Sequence, residues 1–187
     1  MKNAIYLLAL ALIMGACSYK NEPIALSPYE ANYKGAVSKE KASIYIQSVK
    51  DQRADKSTIG HSLNHGKKDI LFFSNENFEK KYKDALLYAL SIAEFKTNAS
   101  KADASLIVDV NIKEIELVHF DKSFSENLKG KIIVELVVKK ANAITKHSFT
   151  QKAGKWIAPS RNSKNLEPFL SALFADSIDA VVAKLAQ

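Results

Sequence analysis

Residues 104–120 read ASLIVDVNIKEIELVHF. The first half alternates: Leu106, Val108, Val110 and Ile112 fall on one side of an extended chain, and Asp109, Asn111 and Lys113 on the other. At Ile115 and Leu117 the apolar set has changed parity. Side chains alternate with a period of two, so a parity change within one long strand calls for a β-bulge or sharp bend near Lys113-Glu114. The rest of the chain must supply neighbours for this strand and a cover for its apolar side.

Downstream, residues 121–130 (DKSFSENLKG) read as a turn, and residues 131–139 (KIIVELVVK) return as the most apolar strand, expected to be central. Residues 143–152 (AITKHSFTQK) pair next, and 154–157 extend that strand after a kink. Beyond a loop at 159–164, Asn165 is placed to cap a last helix, with Glu167 near its start and Pro168 in its first turn. Leu166, Phe169, Leu170, Leu173, Phe174, Ile178, Val181 and Leu185 make its apolar stripe.

Upstream, residues 74–95 form a helix capped by Ser74 or Asn75, with Glu76 and Glu79 at its positive end. Phe78, Tyr82, Ala85, Leu86, Ala89 and Ala93 recur at steps of three and four and give it one apolar face. Residues 42–50 (ASIYIQSVK) read as the first strand, 58–63 as a short second one, and 67–73 (KKDILFF) as a further short one. The expected fold is α+β: an antiparallel sheet of about four to five strands with two helices on one face, in the order β-(β)-α-β-β-β-α.

The N-terminus addresses location. Lys2 precedes an uncharged apolar run at 4–14 (AIYLLALALIM), followed by Met14-Gly15-Ala16-Cys17. The run is too short to cross a bilayer, which takes about 18 or more apolar residues, and it has the order of a secretory signal. The tetrapeptide resembles a bacterial lipobox, with Met14 where Leu is commoner. Residues 1–16 then form a lipoprotein signal peptide, Cys17 becomes the lipidated first residue, 17–41 a linker, and 42–187 a single periplasmic domain. Cys17 is the only cysteine of the chain, so it has no intramolecular disulfide partner, and acylation accounts for it. The alternatives are an ordinary signal peptide with a cysteine near the cut, or a retained anchor helix. Ser18 is not Asp, which by the sorting rule of enteric bacteria favours the outer membrane. The linker carries Pro23, Pro28 and Gly35, and its Ile24, Leu26, Tyr29 and Tyr33 suggest that part of it lies along the domain.

Removal of the signal leaves about 170 residues, enough for one domain with a real core. The formal net charge is +7, carried almost wholly by lysine, since Arg53 and Arg161 are the only arginines. A nucleic-acid module would use arginine forks, so no nucleic-acid partner is expected. A solvated lysine surface, or attraction to anionic lipid or polysaccharide, fits this charge.

No catalytic, cofactor or metal constellation emerges. His61 and His65 have helical zinc spacing, but Gly60 and Gly66 bracket them as a turn and no zincin Glu follows. His119 and His147 read as strand-surface residues, and Trp156, beside Gly154 and Ile157, reads as core rather than as a sugar-stacking ring. No Gly-x-Ser-x-Gly elbow and no Gly-rich phosphate loop is present. The one local motif with texture is Asp51-Gln52-Arg53 followed by Ile59-Gly60. Arg53 can bridge Asp51 or Asp55 as a surface ion pair and hold a structural or binding loop, while Gly60 allows a backbone conformation closed to other residues.

A lipobox, a proline-bearing linker, a first strand ending in Asp-x-Arg, and a following Ile-Gly together resemble the YajG-like family of bacterial lipoproteins. The resemblance implies an outer-membrane lipoprotein facing the periplasm and implies no catalytic residue. The order of elements is also similar to that of accessory lipoproteins of envelope transport machines. The expected role is non-enzymatic: an accessory or scaffold protein held to the membrane through Cys17 and binding an envelope protein. The alternatives are a carrier of lipid or glycan in a groove between sheet and helices, and, further off, a cell-wall hydrolase. Self-association by strand addition at 143–152 is a further expectation. Replacing Cys17→Ser is expected to leave the precursor unprocessed or mislocalised, read by gel mobility and membrane fractionation; normal membrane retention would contradict the lipobox reading.

Overall fold

The computed structural model describes residues 23–30, 33–120, 126–157 and 163–187. Cys17 and Arg161 lie outside them. The elements run β1 (Ile44–Asp51), β2 (Thr58–Asn64), β3 (Lys67–Phe73), α1 (Phe78–Ile92), β4 (Leu106–Phe120), β5 (Leu128–Lys140), β6 (Ala143–Lys155) and α2 (Ser163–Leu185).

The long strand β4 is the spine of a six-stranded sheet. On one side it pairs antiparallel with β5 from Ile107↔Lys139 to His119↔Leu128. The register shifts between Ile112 and Glu114, which places the extra residue at Lys113, as the parity change requires. Leu106, Val108, Val110 and Ile112 are buried before the bulge, and Ile115, Leu117 and His119 after it. His119 therefore faces the core, against the expectation of a surface residue, because the same slip carries it to the buried parity. On its other side β4 has two partners end to end: β1 pairs with its first half up to Asp51↔Ile112, and β2 with its last residues from Gly60↔Leu117 to Leu63↔Phe120. The partner changes where the bulge falls.

The sheet is α+β and mostly antiparallel, with two refinements. Among the described residues it has six strands rather than four or five, and β1 and β2 run parallel to β4. Strand β3 pairs antiparallel with β2. Strand β3 reverses the direction of β2, and the connection through α1 returns the chain to the level where β1 begins, with Ile44 opposite Leu106, so β4 sets out in the direction of β1 and β2. Hydrophobic period reports which face a residue takes and carries no information on strand direction.

Both helices cover one face. Helix α1 packs on β1, α2 on β5 and β6, and each on the other. Their rings meet in the middle, with Tyr82 and Phe174 at 5.1 Å in an edge-to-face arrangement and Phe78 and Phe174 at 6.2 Å. The cap of α1 is Asn77, whose side chain accepts from the Lys80 amide at 2.9 Å, rather than Ser74 or Asn75. Ser74 instead donates its hydroxyl to the Ile24 carbonyl at 2.7 Å. Helix α2 begins at Ser163, ahead of Asn165, and so holds Pro168 in its second turn.

The segment before β1 is packed against this layer. Ile24, Leu26 and Tyr33 are buried. The Ile24 amide donates to Phe73 at the end of β3, and the Ser38 amide to Ala93 at the end of α1. Residues 23–30 and 33–38 form a strap over the seam of the two helices, the part of 17–41 that its apolar residues place along the domain.

Gly60 is fixed by the parallel ladder. A Cβ at this position would stand 2.0 Å from the Leu117 carbonyl oxygen. Gly60→Ala should destabilise the domain by about 1–3 kcal/mol or more by forcing β2 off β4, seen as a lower urea midpoint. An unchanged midpoint would show that the ladder has room to give.

Candidate functional site

The chain leaves β1 at Asp51, enters β2 at Thr58 and rejoins the same edge of β4 at Gly60. The intervening turn folds onto Arg53. Its Nε donates to Asp51 Oδ1 at 2.9 Å and its Nη2 to Asp51 Oδ2 at 2.7 Å, a two-pronged ion pair. Nη2 also donates to the Lys56 carbonyl at 2.7 Å, and Nη1 to the Thr58 carbonyl at 3.3 Å. The guanidinium lies 4.9 Å from the centre of the Phe78 ring at the start of α1. The side chains are 5% and 6% exposed. The pair is thus buried rather than on the surface, because the first turn of α1 lies over it. Glu79 of that turn also accepts from the Asp51 amide at 2.9 Å. Asp55 shapes the tip of the turn: hydrogen bonds from Thr58 and Ser57 hold its carboxyl well below the usual range.

Asp51, Arg53 and Gly60 do come together at this break in the sheet edge. Arg53, Asp55 and Gly60 share an open cleft of about 300 Å³ with His61, Lys68, Lys113, Glu114 and Glu116. Burial, then the nearby Lys68, push the His61 imidazole down, against a smaller opposing pull from Glu116. Glu114 is paired with Lys131 of β5 at 2.6 Å. Much of the charge here is spent on bracing.

A second cleft, which no motif announced, lies between the strap and α1. It measures about 430 Å³ and is lined by Leu26, Ser27, Pro28 and Tyr29 of the strap, Lys80, Lys81, Asp84, Ala85 and Tyr88 of α1, and Phe174 of α2. Tyr29 and Tyr88 meet edge to face at 6.4 Å, and Tyr88 is half exposed. Tyr29 donates its hydroxyl to Asp179 Oδ1 at 2.6 Å; burial and this carboxylate push its pKa far up. Lys80 is paired with Asp84 at 2.8 Å, and Lys81 reaches both Glu76 and the Leu26 carbonyl. Glu76 in turn accepts from the Leu26 amide at 3.0 Å. The only sequence signal for this site was the run of apolar residues inside a proline-bearing linker.

The remaining candidates are separate. His61 lies in β2 and His65 in the β2–β3 turn, where its ring meets Asn64 at 2.6 Å. Among the described residues no group of three or more His, Cys, Asp or Glu side chains is arranged to hold a metal. His147 lies on β6, on a different strand from His119. Trp156 is 53% exposed rather than core, since it follows β6 at the rim of the sheet.

No family model matches the chain, and no curated protein matches it. Solved structures do. A Xanthomonas campestris protein of the DUF330 family is similar over 87% of this chain and 88% of its own, with 12% identity and a TM-score of 0.51. An uncharacterised protein is similar over 88% and 97%, with 10% identity and a TM-score of 0.50. The lipoprotein GNA1162 from Neisseria meningitidis covers 78% of this chain and 98% of its own at 10% identity, with a TM-score of 0.41. The first two likenesses show the fold alone.

The Glu76 contacts carry a pH dependence. Burial by itself would raise its carboxyl, but the Leu26 amide and the Lys81 ammonium outweigh that and hold it below the ordinary glutamate range. A depressed folded value means that the stabilisation is present above the unfolded value and is lost as pH falls through the folded one. Hydrogen exchange at the Leu26 amide should therefore speed up beyond its intrinsic change as pH falls below about 4.5, and Glu76→Gln should remove that excess. An identical profile in the variant would show that Glu76 does not hold the strap.

Proposed function

We propose that this chain is a lipid-anchored envelope protein of the YajG-like type, held at the outer membrane facing the periplasm and acting as a non-enzymatic accessory or scaffold. The observation that carries this reading is the strap. The chain is bonded to the domain from Ile24, at the end of β3 and at Ser74, only seven positions beyond Cys17. At no more than about 3.6 Å per residue, lipid on Cys17 would hold that end of the domain within about 25 Å of the bilayer. A body held so close is suited to receiving a partner at the membrane surface rather than to reaching across the envelope.

The clefts support a binding role over a catalytic one. In the first, Arg53 is committed to Asp51 and to two carbonyls. In the second, Lys80 is tied to Asp84, and Lys81 and Glu76 to each other and to the strap. Groups so engaged hold shape; a general acid or base must be free to exchange its proton with a substrate.

In-cell crosslinking of the anchored protein, followed by capture and mass spectrometry, tests this. Recovery of one envelope-machine component near stoichiometry is the expected outcome. Recovery of nothing, or peptidoglycan cleavage in a zymogram, would count against it. A carrier role has one observation in its favour, the largely apolar cleft beside Tyr29 and Tyr88. The interior between sheet and helices is filled by residues such as Val110, Ile112, Val134, Leu136 and Tyr82, all fully buried, so a carried ligand would use the strap cleft. Lipid or glycan that stays bound in native mass spectrometry would favour that reading.

A further inference from the structure

The positive charge of the chain is unevenly spread. Between Glu135 and Glu167 there is no acidic residue, while seven lysines and arginines fall in the same interval. Strand β6 occupies the middle of that interval. It is an end strand of the sheet, paired with β5 along its whole length from Ala143 to Lys155 with no shift of register. Among the described residues no strand lies on its other side. Sheet edges are usually blunted by shortness, a bulge, a proline or an inward charge. Strand β6 spans 13 residues and has no bulge and no proline; only its lysines remain as a guard.

The lysines leave the backbone open. Phe149 and Ala153 pack on the core, so Lys146 and Lys152, at the alternate parity, stand on the opposite face of the sheet. Both are exposed. Neither projects along the direction in which the free N–H and C=O groups of an edge point. Two carboxylates lie near the strand. Glu135 of β5 is already bonded to Asn111 and paired with Lys113, and Glu126 lies beside Gly154. Large apolar side chains mark the two ends, Ile144 at 62% exposure and Trp156 at 53%.

We propose that β6 is a docking edge for an acidic extended peptide segment, which joins the sheet as a seventh strand. Backbone hydrogen bonds would supply the affinity, and Lys146 and Lys152 would select carboxylates at alternate positions of the incoming strand. A second copy presents the same lysines, and pairing β6 with β6 sets like charges close together, which disfavours it. This gives the kind of partner for the accessory reading, and rests on that reading for such a partner in the cell.

The test uses the full isotope-labelled chain and three synthetic peptides: alternating Thr/Glu, alternating Thr/Lys, and the Thr/Glu peptide with prolines that prevent strand pairing. Amide shifts and exchange protection along β6 are expected with the first, with binding at least about tenfold tighter than for the other two. Lys146→Glu with Lys152→Glu should reverse the preference between the Glu and Lys peptides, while thermal unfolding stays near that of the parent. Equal binding of the proline-bearing peptide would reduce the edge to bare charge attraction and overturn the proposal. So would absence of β6 protection with any peptide, or protection that rises with protein concentration alone. So would lysine-dependent binding to phosphatidylglycerol vesicles with no peptide binding, which would make the edge a membrane contact. In cells, undiminished crosslinking of a partner by the double variant would overturn the edge and leave the accessory reading intact. No crosslinked partner even with the parent would remove the accessory reading and leave the edge to the peptide measurement.

Discussion

Strand β4 is hydrogen-bonded on both sides, to β5 on one and to β1 and then β2 on the other. Every other layer is placed by that ladder. Its apolar residues lie on the buried face of the sheet, whose neighbouring strands β1, β5 and β6 carry α1 and α2, and its bulge at Lys113 marks where β1 ends and the chain steps out before β2 begins. An inserted residue turns all later side chains over. Without it, Ile115 and Leu117 would face water and Glu114 and Glu116 the core.

The step between β1 and β2 leaves carbonyls with no ladder partner beside an ion pair withdrawn from water. Arg53 meets both needs, with Asp51 as counter-ion and the carbonyls of Lys56 and Thr58 as acceptors. Breaking such a pair by removing one member typically costs about 3–5 kcal/mol, because the other charge is left buried and unanswered. The covering Phe78 links this turn to α1 and through Phe174 to α2. One short loop thereby ties the sheet to both helices.

The strap has a different character. It carries buried Ile24, Leu26 and Tyr33, yet between Ala25 and Tyr29 most of its bonds go to side chains: Glu167, Glu76, Ser171 and Asp179. Such contacts depend on the rotamers of those groups, whereas a ladder contact does not. The domain therefore has a body of sheet and helices joined by backbone bonds and packing, and a strap fastened largely by side chains. The strap is the part nearest Cys17 in sequence.

The bulge near Lys113-Glu114, both helices with their buried faces, and the pairing of residues 143–152 with the preceding strand were all legible in the sequence. Each depends on local alternation or on a step of three and four, which a single chain displays. The Asp51–Arg53 pair was legible as a contact, but its burial was not, since the cover comes from Phe78 in another element. The parallel run of β1 and β2 beside β4 was hidden because strand direction follows from how α1 crosses over. The strap cleft was hidden because Tyr29, Tyr88 and Phe174 stand far apart in the chain. Trp156 and His119 exchanged their expected places for the same reason: exposure at a sheet rim or beyond a bulge is a property of neighbours. Local order along the chain sets which residues are apolar on which face; what each face meets is set by long-range packing, which brings together groups that no local period relates.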